Sequence, residues 1–391
     1  MKKRLFTPGP TPVPEQVMLR MAEPLIHHRS PEFREIMTRV NNNLRLLFQT
    51  SQPVVTLASS GTGGMESTFV SLFSPGDTVI AVNGGKFGER WVQMPRVFGL
   101  NAVEIRLRWG ETLREDQLRE AIRSNPGVKG VYLTQSETST GTLTDVKAMA
   151  RIVREQSSAL VCVDGISSIG AQEMRFDEWG VDACVTGSQK GLMIPPGLAF
   201  VALSARAIEA VEQSTMPRFY FDLRRALKSF AADDTPWTPA ISLIIGADLS
   251  LEMLRKEGIE HVWKRHERLA SGLRAGIQAI GLRLFSQSPA ASVTAVALPA
   301  GVAWTDFNRA LKIDNGITVA GGQGDYAGRI FRVSHLGYYD ELDMIACIAA
   351  IERALTAAGY GFEIGAGVAA VQKSLILGYP VPARGGDEAR P

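Results

Sequence analysis

Between residues 53 and 203 the chain repeats one unit: an apolar, β-branched run, a turn of glycine, proline and polar residues, then a segment with helical spacing. No other feature limits the fold as much. The runs Val54 to Ala58, Thr78 to Val82, Ala102 to Leu107, Val128 to Thr134 and Leu160 to Val163 are separated by helical patterns, one carrying Met65, Phe69, Leu72 and Phe73 and others near 87–98, 114–123 and 144–156. Runs near 181–186 and 198–203 complete seven strands. Strand-helix-strand alternation predicts an α/β fold with a mainly parallel seven-stranded sheet flanked by helices. The spacings leave room for right-handed crossovers.

With 391 residues the chain exceeds one ordinary core, so a second domain is expected. The opening holds Pro8, Pro10, Pro12 and Pro14, which excludes a helix or central strand there and reads as an extended arm over 1–20. Ser30-Pro31-Glu32 is a helix start, and Phe33, Ile36, Met37, Val40, Leu44 and Leu47 carry a helix over about 31–49. Helices are expected near 240–256 and 259–280, with a boundary near residue 258. After it come a strand over 293–298, a helix over 306–312, short strands near 317–320 and 329–333, and a helix over 340–357. The expected division is a large domain over 21–258, a smaller α+β domain over 259–374 and a loose tail over 375–391.

The 42 Lys and Arg nearly balance 40 Asp and Glu, and no basic block exceeds residues 2–4, so nothing points to nucleic acid or a membrane surface. Cys162, Cys184 and Cys347 stand singly in apolar patterns, as buried thiols in a reducing compartment. No signal peptide or spanning segment is visible. The expectation is a cytoplasmic protein with a small-molecule ligand. No spacing of His, Cys or carboxylates suggests a metal site.

Two apolar runs end in reactive groups, the first at Asp164 and the second at Gly187-Ser188-Gln189-Lys190. Taken singly, such an acid is more often a cap and such a lysine solvated. At the carboxyl edge of a parallel sheet, where α/β folds keep their ligands, the pair reads differently. Desolvation there lowers a lysine's pKa and makes it a nucleophile toward carbonyls, and the acid could hold a pyridinium nitrogen protonated. The SSGTGG turn at 59–64, with Ser60 and Thr62, lies between strand and helix and could cradle a phosphate; such turns are also common for purely structural reasons. Cradle, acid and lysine together specify pyridoxal phosphate far better than any one of them does.

TPGPTPVP, SSGTGGMES, PGD, VNGGKFGERW, TQSETSTGT, VDGISSIG, GSQKGL and FRVSHLG, in this order, resemble the class V aminotransferases among the fold-type I pyridoxal-phosphate enzymes, over about residues 5–358. The closest group is the alanine-glyoxylate and serine-pyruvate (serine-glyoxylate) aminotransferases. The resemblance implies that Lys190 is the Schiff-base lysine and proton carrier and that Asp164 pairs with the ring nitrogen. It assigns the phosphate to Ser60, Gly61, Thr62 and Gln189, the ring oxygen to Thr138 and ring stacking to Phe87, where relatives often carry Trp. Thr238 and Thr235 would complete the phosphate site of a partner subunit in a homodimer with shared active sites, and the N-terminal arm would cross that dimer to the active-site rim. Arg332 would capture the substrate carboxylate, and His335 is read as a packed histidine. The implied activity moves an amino group from alanine or serine to glyoxylate or pyruvate by a ping-pong mechanism. Phosphoserine and aminoethylphosphonate transaminases are alternatives; cysteine desulfurase is disfavoured for want of a loop cysteine. Relatives labelled as the small subunit of a soluble hydrogenase raise a non-catalytic role, which three isolated cysteines do not support.

Overall fold

The computed structural model describes residues 2–377. Its centre is a seven-stranded sheet made of β1 (Val54–Ala58), β2 (Thr78–Asn83), β3 (Asn101–Arg106), β4 (Gly130–Thr134), β5 (Leu160–Asp164), β6 (Ala183–Gly187) and β7 (Leu198–Leu203). The spatial order is β1-β7-β6-β5-β4-β2-β3. All neighbours are parallel except those of β7, which runs antiparallel to both β1 and β6. The mainly parallel sheet expected from the alternation is therefore present. Strands β4 to β7 are buried along their whole length, as near-continuous apolar runs in a sheet covered on both faces should be.

Helices follow the strands. α1 (Pro31–Phe48) is capped by the Ser30 hydroxyl, which accepts from the Phe33 amide, with Pro31 at its first position. α2 (Gly61–Leu72) and α3 (Lys86–Val97) come directly after β1 and β2, so their N-termini open at the sheet's carboxyl edge. α4 (Ile241–Glu257) and α5 (Ile259–Ala279) are separated by Gly258, whose φ of 83° breaks what would otherwise be one rod.

Beyond α5 lies a small three-stranded antiparallel sheet in which Ile330–Ser334 is flanked by Val293–Ala297 and Ala320–Gly321. It packs on α5, on α6 (Glu341–Ala357) and on α7 (Ala366–Leu377) in a separate apolar cluster around Phe307, Phe331, Ile348 and Leu355. Two features depart from the expected layout. Glu15–Met21, inside the proline-rich arm, is helical, with Pro14 at its N-cap where a missing amide does no harm. Residues 375–377, expected in the tail, belong to α7, which runs to Leu377 and buries Leu375; the rest of the expected tail, 378–391, lies outside the described residues.

Candidate active site

β5 ends in Asp164 because the apolar run stops where the strand leaves the sheet, and β6 runs out into Ser188, Gln189 and Lys190. Both groups remain buried: Asp164 is 4% and Lys190 8% exposed. Asp164 accepts from the Ile166 amide at 2.9 Å and from the Trp91 indole N–H at 2.9 Å. Burial pushes its carboxyl up to about 7, with Glu137 adding to the rise and the two hydrogen bonds and Lys190 opposing it. Burial also pulls the Lys190 ammonium down to about 8, against the attraction of Asp164 and with help from Arg332 and Arg90. Amine and acid are thus both buried, and each feels the other's charge.

The Lys190 Nζ donates to the Pro8 carbonyl at 2.6 Å. The neighbouring Gly9, at φ 156°, lies so close that an added β-carbon would collide with Lys190 Cε and Nζ. The Thr11 amide and hydroxyl bond to the carbonyls of Gln189 and Lys190 at 3.2 and 3.0 Å. The arm expected to cross to a partner therefore folds over its own chain's lysine, and further back Arg4–Leu5 pairs with Ile317–Thr318 of the small domain.

The SSGTGG turn supplies the N-terminus of α2. Ser60 is its N-cap, yet its hydroxyl makes no capping bond, unlike Ser30 and Ser204, which each accept from an amide of the helix they cap. The first amides of α2 therefore stay available to a ligand. Gln189 turns toward the same place: its side-chain oxygen and the Gly61 amide nitrogen both lie within 4 Å of where a Gly187 β-carbon would sit. That Gln189 oxygen is buried with no hydrogen-bond partner; toward a phosphate, which only accepts, it is the side-chain NH2 that would have to point, a half-turn of the amide away.

Opposite the turn, α3 brings three side chains to the site from one face. Phe87, Arg90 and Trp91 stand at i, i+3 and i+4, the spacing that aligns residues on a helix. Its N-terminus is held by the buried Glu137, whose carboxylate accepts from the Gly88 amide at 2.9 Å and from the Ser139 amide at 3.0 Å. Phe87 is half-buried at the start of the helix and Trp91 is fully buried. Trp91 and Arg90 were not singled out from the sequence, although FGERW already holds the i, i+3, i+4 pattern.

Arg332 projects from the small sheet and is 6% exposed. Its Nε and Nη2 donate to the Gly321 carbonyl at 3.0 and 2.7 Å, and Nη1 donates to the Thr138 carbonyl at 3.1 Å. Three of its five N–H groups are used and, among the described residues, no carboxylate is in ion-pair contact with it, though the charge of Glu137 is felt there. Burial pulls it down to about 10. The Thr138 hydroxyl donates to Ser167 at 2.7 Å, and His335 is fully buried between Thr294 and the Ala291 carbonyl, as a packed histidine. Thr235 and Thr238 are not brought to Lys190: they line a small cleft with Thr56, Ala58, Leu198 and Tyr220, where Thr235 donates to the Trp237 carbonyl at 2.8 Å.

The family model of aminotransferase class-V matches residues 4–334. The chain belongs to the class V aminotransferases. Among curated relatives it is 41% identical over 377 residues to the soluble hydrogenase 42 kDa subunit of Anabaena cylindrica, covering 95% of this chain and 98% of that one. It is 38% identical to the L-aspartate–glyoxylate aminotransferase of Paracoccus denitrificans (94% and 95% covered). It is 34% identical to the serine–glyoxylate aminotransferase of Hyphomicrobium methylovorum (94% and 93%). Among solved structures, ureidoglycine-glyoxylate aminotransferase from Bacillus subtilis superposes with a TM-score of 0.91 at 28% identity, covering 96% and 98% of the two chains. Alanine–glyoxylate aminotransferase from Nostoc sp. gives 0.87 at 29%, covering 91% and 96%. The chain is thus an aminotransferase of fold-type I with pyridoxal 5'-phosphate as its cofactor. The residues present fit that group: a buried amine, a buried acid and a helix N-terminus whose first amides are not capped by a side chain.

Proposed function

We propose that this aminotransferase moves an amino group from a small amino acid, alanine or serine, to a small 2-oxo acid, glyoxylate or pyruvate, in two half-reactions of a ping-pong cycle. The observation that carries the reading is Arg332, a buried guanidinium with two N–H groups to spare and no carboxylate of its own. A substrate carboxylate would supply the missing charge, and both the amino acid and the 2-oxo acid have one. Pro8 and Gly9 of the arm crowd Lys190, and that crowding favours short substrate side chains. Glyoxylate is the acceptor in the printed names of four of the compared proteins, while their donors differ.

The bound cofactor supplies an electron sink for the charge that develops at the substrate's α-carbon. Asp164 holds the proton on the ring nitrogen, and its hydrogen bonds to Trp91 and Ile166 leave lone pairs for that contact. Lys190, its ammonium weakened by burial, takes the proton from the α-carbon and returns it. Ser60, Gly61, Thr62 and Gln189 hold the phosphate, Thr138 reaches the ring oxygen, and Phe87 covers the ring face. Thr235 and Thr238, which line a cleft with Ala58 and Leu198, serve the phosphate of the second subunit in a homodimer. We place the protein in the cytoplasm, a setting consistent with three free buried cysteines; no helix among the described residues is long and apolar enough to cross a membrane.

Cysteine desulfurase chemistry needs a reactive thiol, and Cys184 and Cys347 are buried with their thiols pushed up by burial. The hydrogenase names of two relatives describe association more readily than chemistry in a chain whose acid, lysine and arginine are all held in place. A donor panel tests the reading: single amino acids are added to the cofactor-loaded protein and the change in its visible absorbance is followed. Alanine or serine should discharge the band fastest, and glyoxylate or pyruvate should restore it. Faster discharge by aspartate or phosphoserine would contradict the assigned donors.

A further inference from the structure

We propose that Arg90 is this chain's own counter-charge to the cofactor phosphate. The inference rests on placing that phosphate at the SSGTGG turn. A phosphate there is close to a dianion, whereas the groups assigned to hold it are all neutral: Ser60, Gly61, Thr62 and Gln189 offer hydrogen bonds and about half a unit of helix-terminal charge. A full positive charge is missing from the set.

Arg90 stands where that charge is needed. Its Nη1 donates to the Thr62 hydroxyl at 3.2 Å, and Thr62 is the second residue of α2, inside the turn. The guanidinium carbon lies 5.0 Å from the centre of the Phe87 ring, which anchors the side chain one turn along the same helix face. Most arginines on this surface are spent on carboxylates, as Arg20 is on Glu23, Arg39 on Asp248 and Arg106 on Glu104. Arg90 has no such partner among the described residues, and its nearest acid by sequence, Glu89, is bridged by Lys86 at 2.6 Å. Arg90 is solvent-exposed, and its charge is still felt at Lys190, where it helps depress the ammonium. With a hydroxyl already in the hydrogen-bonded chain, the guanidinium needs only a rotamer change to present two N–H groups to a phosphate, the geometry it matches best.

The role implies selectivity for the phosphorylated cofactor. Protein stripped of cofactor is titrated with pyridoxal 5'-phosphate and, separately, with pyridoxal, and both are followed by the absorbance of the lysine-bound form. Arg90→Gln should weaken binding of the phosphorylated compound about tenfold, the scale of one charge-assisted hydrogen bond in a partly exposed site, and leave pyridoxal unchanged. Arg90→Lys should recover part of the loss. Ser60→Asp, which sets a carboxylate in the turn, serves as the control on the phosphate's place and should also discriminate against the phosphorylated compound alone. If Ser60→Asp discriminates and Arg90→Gln does not, the inference on Arg90 is overturned and the phosphate site stands. If neither discriminates, the placement of the phosphate fails. Equal weakening of both compounds by Arg90→Gln, or unchanged binding with a raised KM for aspartate alone, would likewise overturn it, the latter by assigning Arg90 to a substrate side chain.

Discussion

Two aspartates of the same sheet, both buried, have opposite surroundings. Asp182, just before β6 at the sheet's amino edge, accepts from the Val161 amide at 2.8 Å, the Ser204 hydroxyl at 2.8 Å, Arg154 at 3.0 Å and Arg206 at 3.2 Å. Asp164, at the carboxyl edge, has an indole and one amide and no arginine, and the nearest other carboxylate, Glu137, raises its pKa further. An acid with every lone pair answered by a donor is structure. An acid left dry with capacity to spare has been kept for a ligand, at a cost in stability that only binding recovers. Topology explains the division, since ligands in open α/β sheets gather outside the carboxyl ends of the strands.

The contrast is broken most sharply by making the same substitution twice. Asp164→Asn should lower kcat by about 10²- to 10³-fold, because the amide cannot keep the ring nitrogen protonated, while leaving unfolding by denaturant almost unchanged. Asp182→Asn should do the reverse, costing about 1–3 kcal/mol of stability through its charged hydrogen bonds and leaving kcat of the folded protein near wild type. Equal losses of activity from both would erase the distinction. A finer test replaces the indole donor. Trp91→Phe keeps most of the buried ring but removes one hydrogen bond from Asp164, so its carboxyl, which burial already pushes up to about 7, should rise further, and the acidic limb of cofactor binding should move to higher pH. Activity at neutral pH should fall by roughly tenfold or less. An unmoved limb would show that Trp91 only fills space.

Much of this was legible in the sequence, for identifiable reasons. Strand-helix alternation is a strong signal, and it placed the seven strands close to their ends as well as the two residues at the carboxyl edge. The helix Glu15–Met21 was obscured by the prolines around it, and α7 by a run of alanines and glycines without a sharp apolar stripe. Phe87, Thr138 and Arg332 were reached through resemblance, because a stacking ring, a hydroxyl and an arginine have no local pattern that separates them from ordinary residues. The contribution of α3 as a unit needed three dimensions. Its FGERW stretch has the right period, but only the fold shows Trp91 bonded to Asp164 and Arg90 to Thr62. Resemblance carried the arm across a dimer to the active-site rim, but not to its seat on its own chain's Lys190, 182 positions from Pro8.

The central claim is that the sheet edge turns Lys190 into a nucleophile by drying it beside an acid. The most direct test is the pH dependence of the rate at which cofactor-free protein attaches pyridoxal 5'-phosphate, measured by stopped-flow absorbance in wild type and in Lys190→Ala. Burial lowers the lysine from 10.5 to about 8, so the neutral amine accumulates as pH rises through that value. The rate should therefore climb to about pH 8 and level off, with no lysine-bound band in Lys190→Ala. A rate still climbing toward pH 10.5, or a band that survives loss of Lys190, would contradict the account.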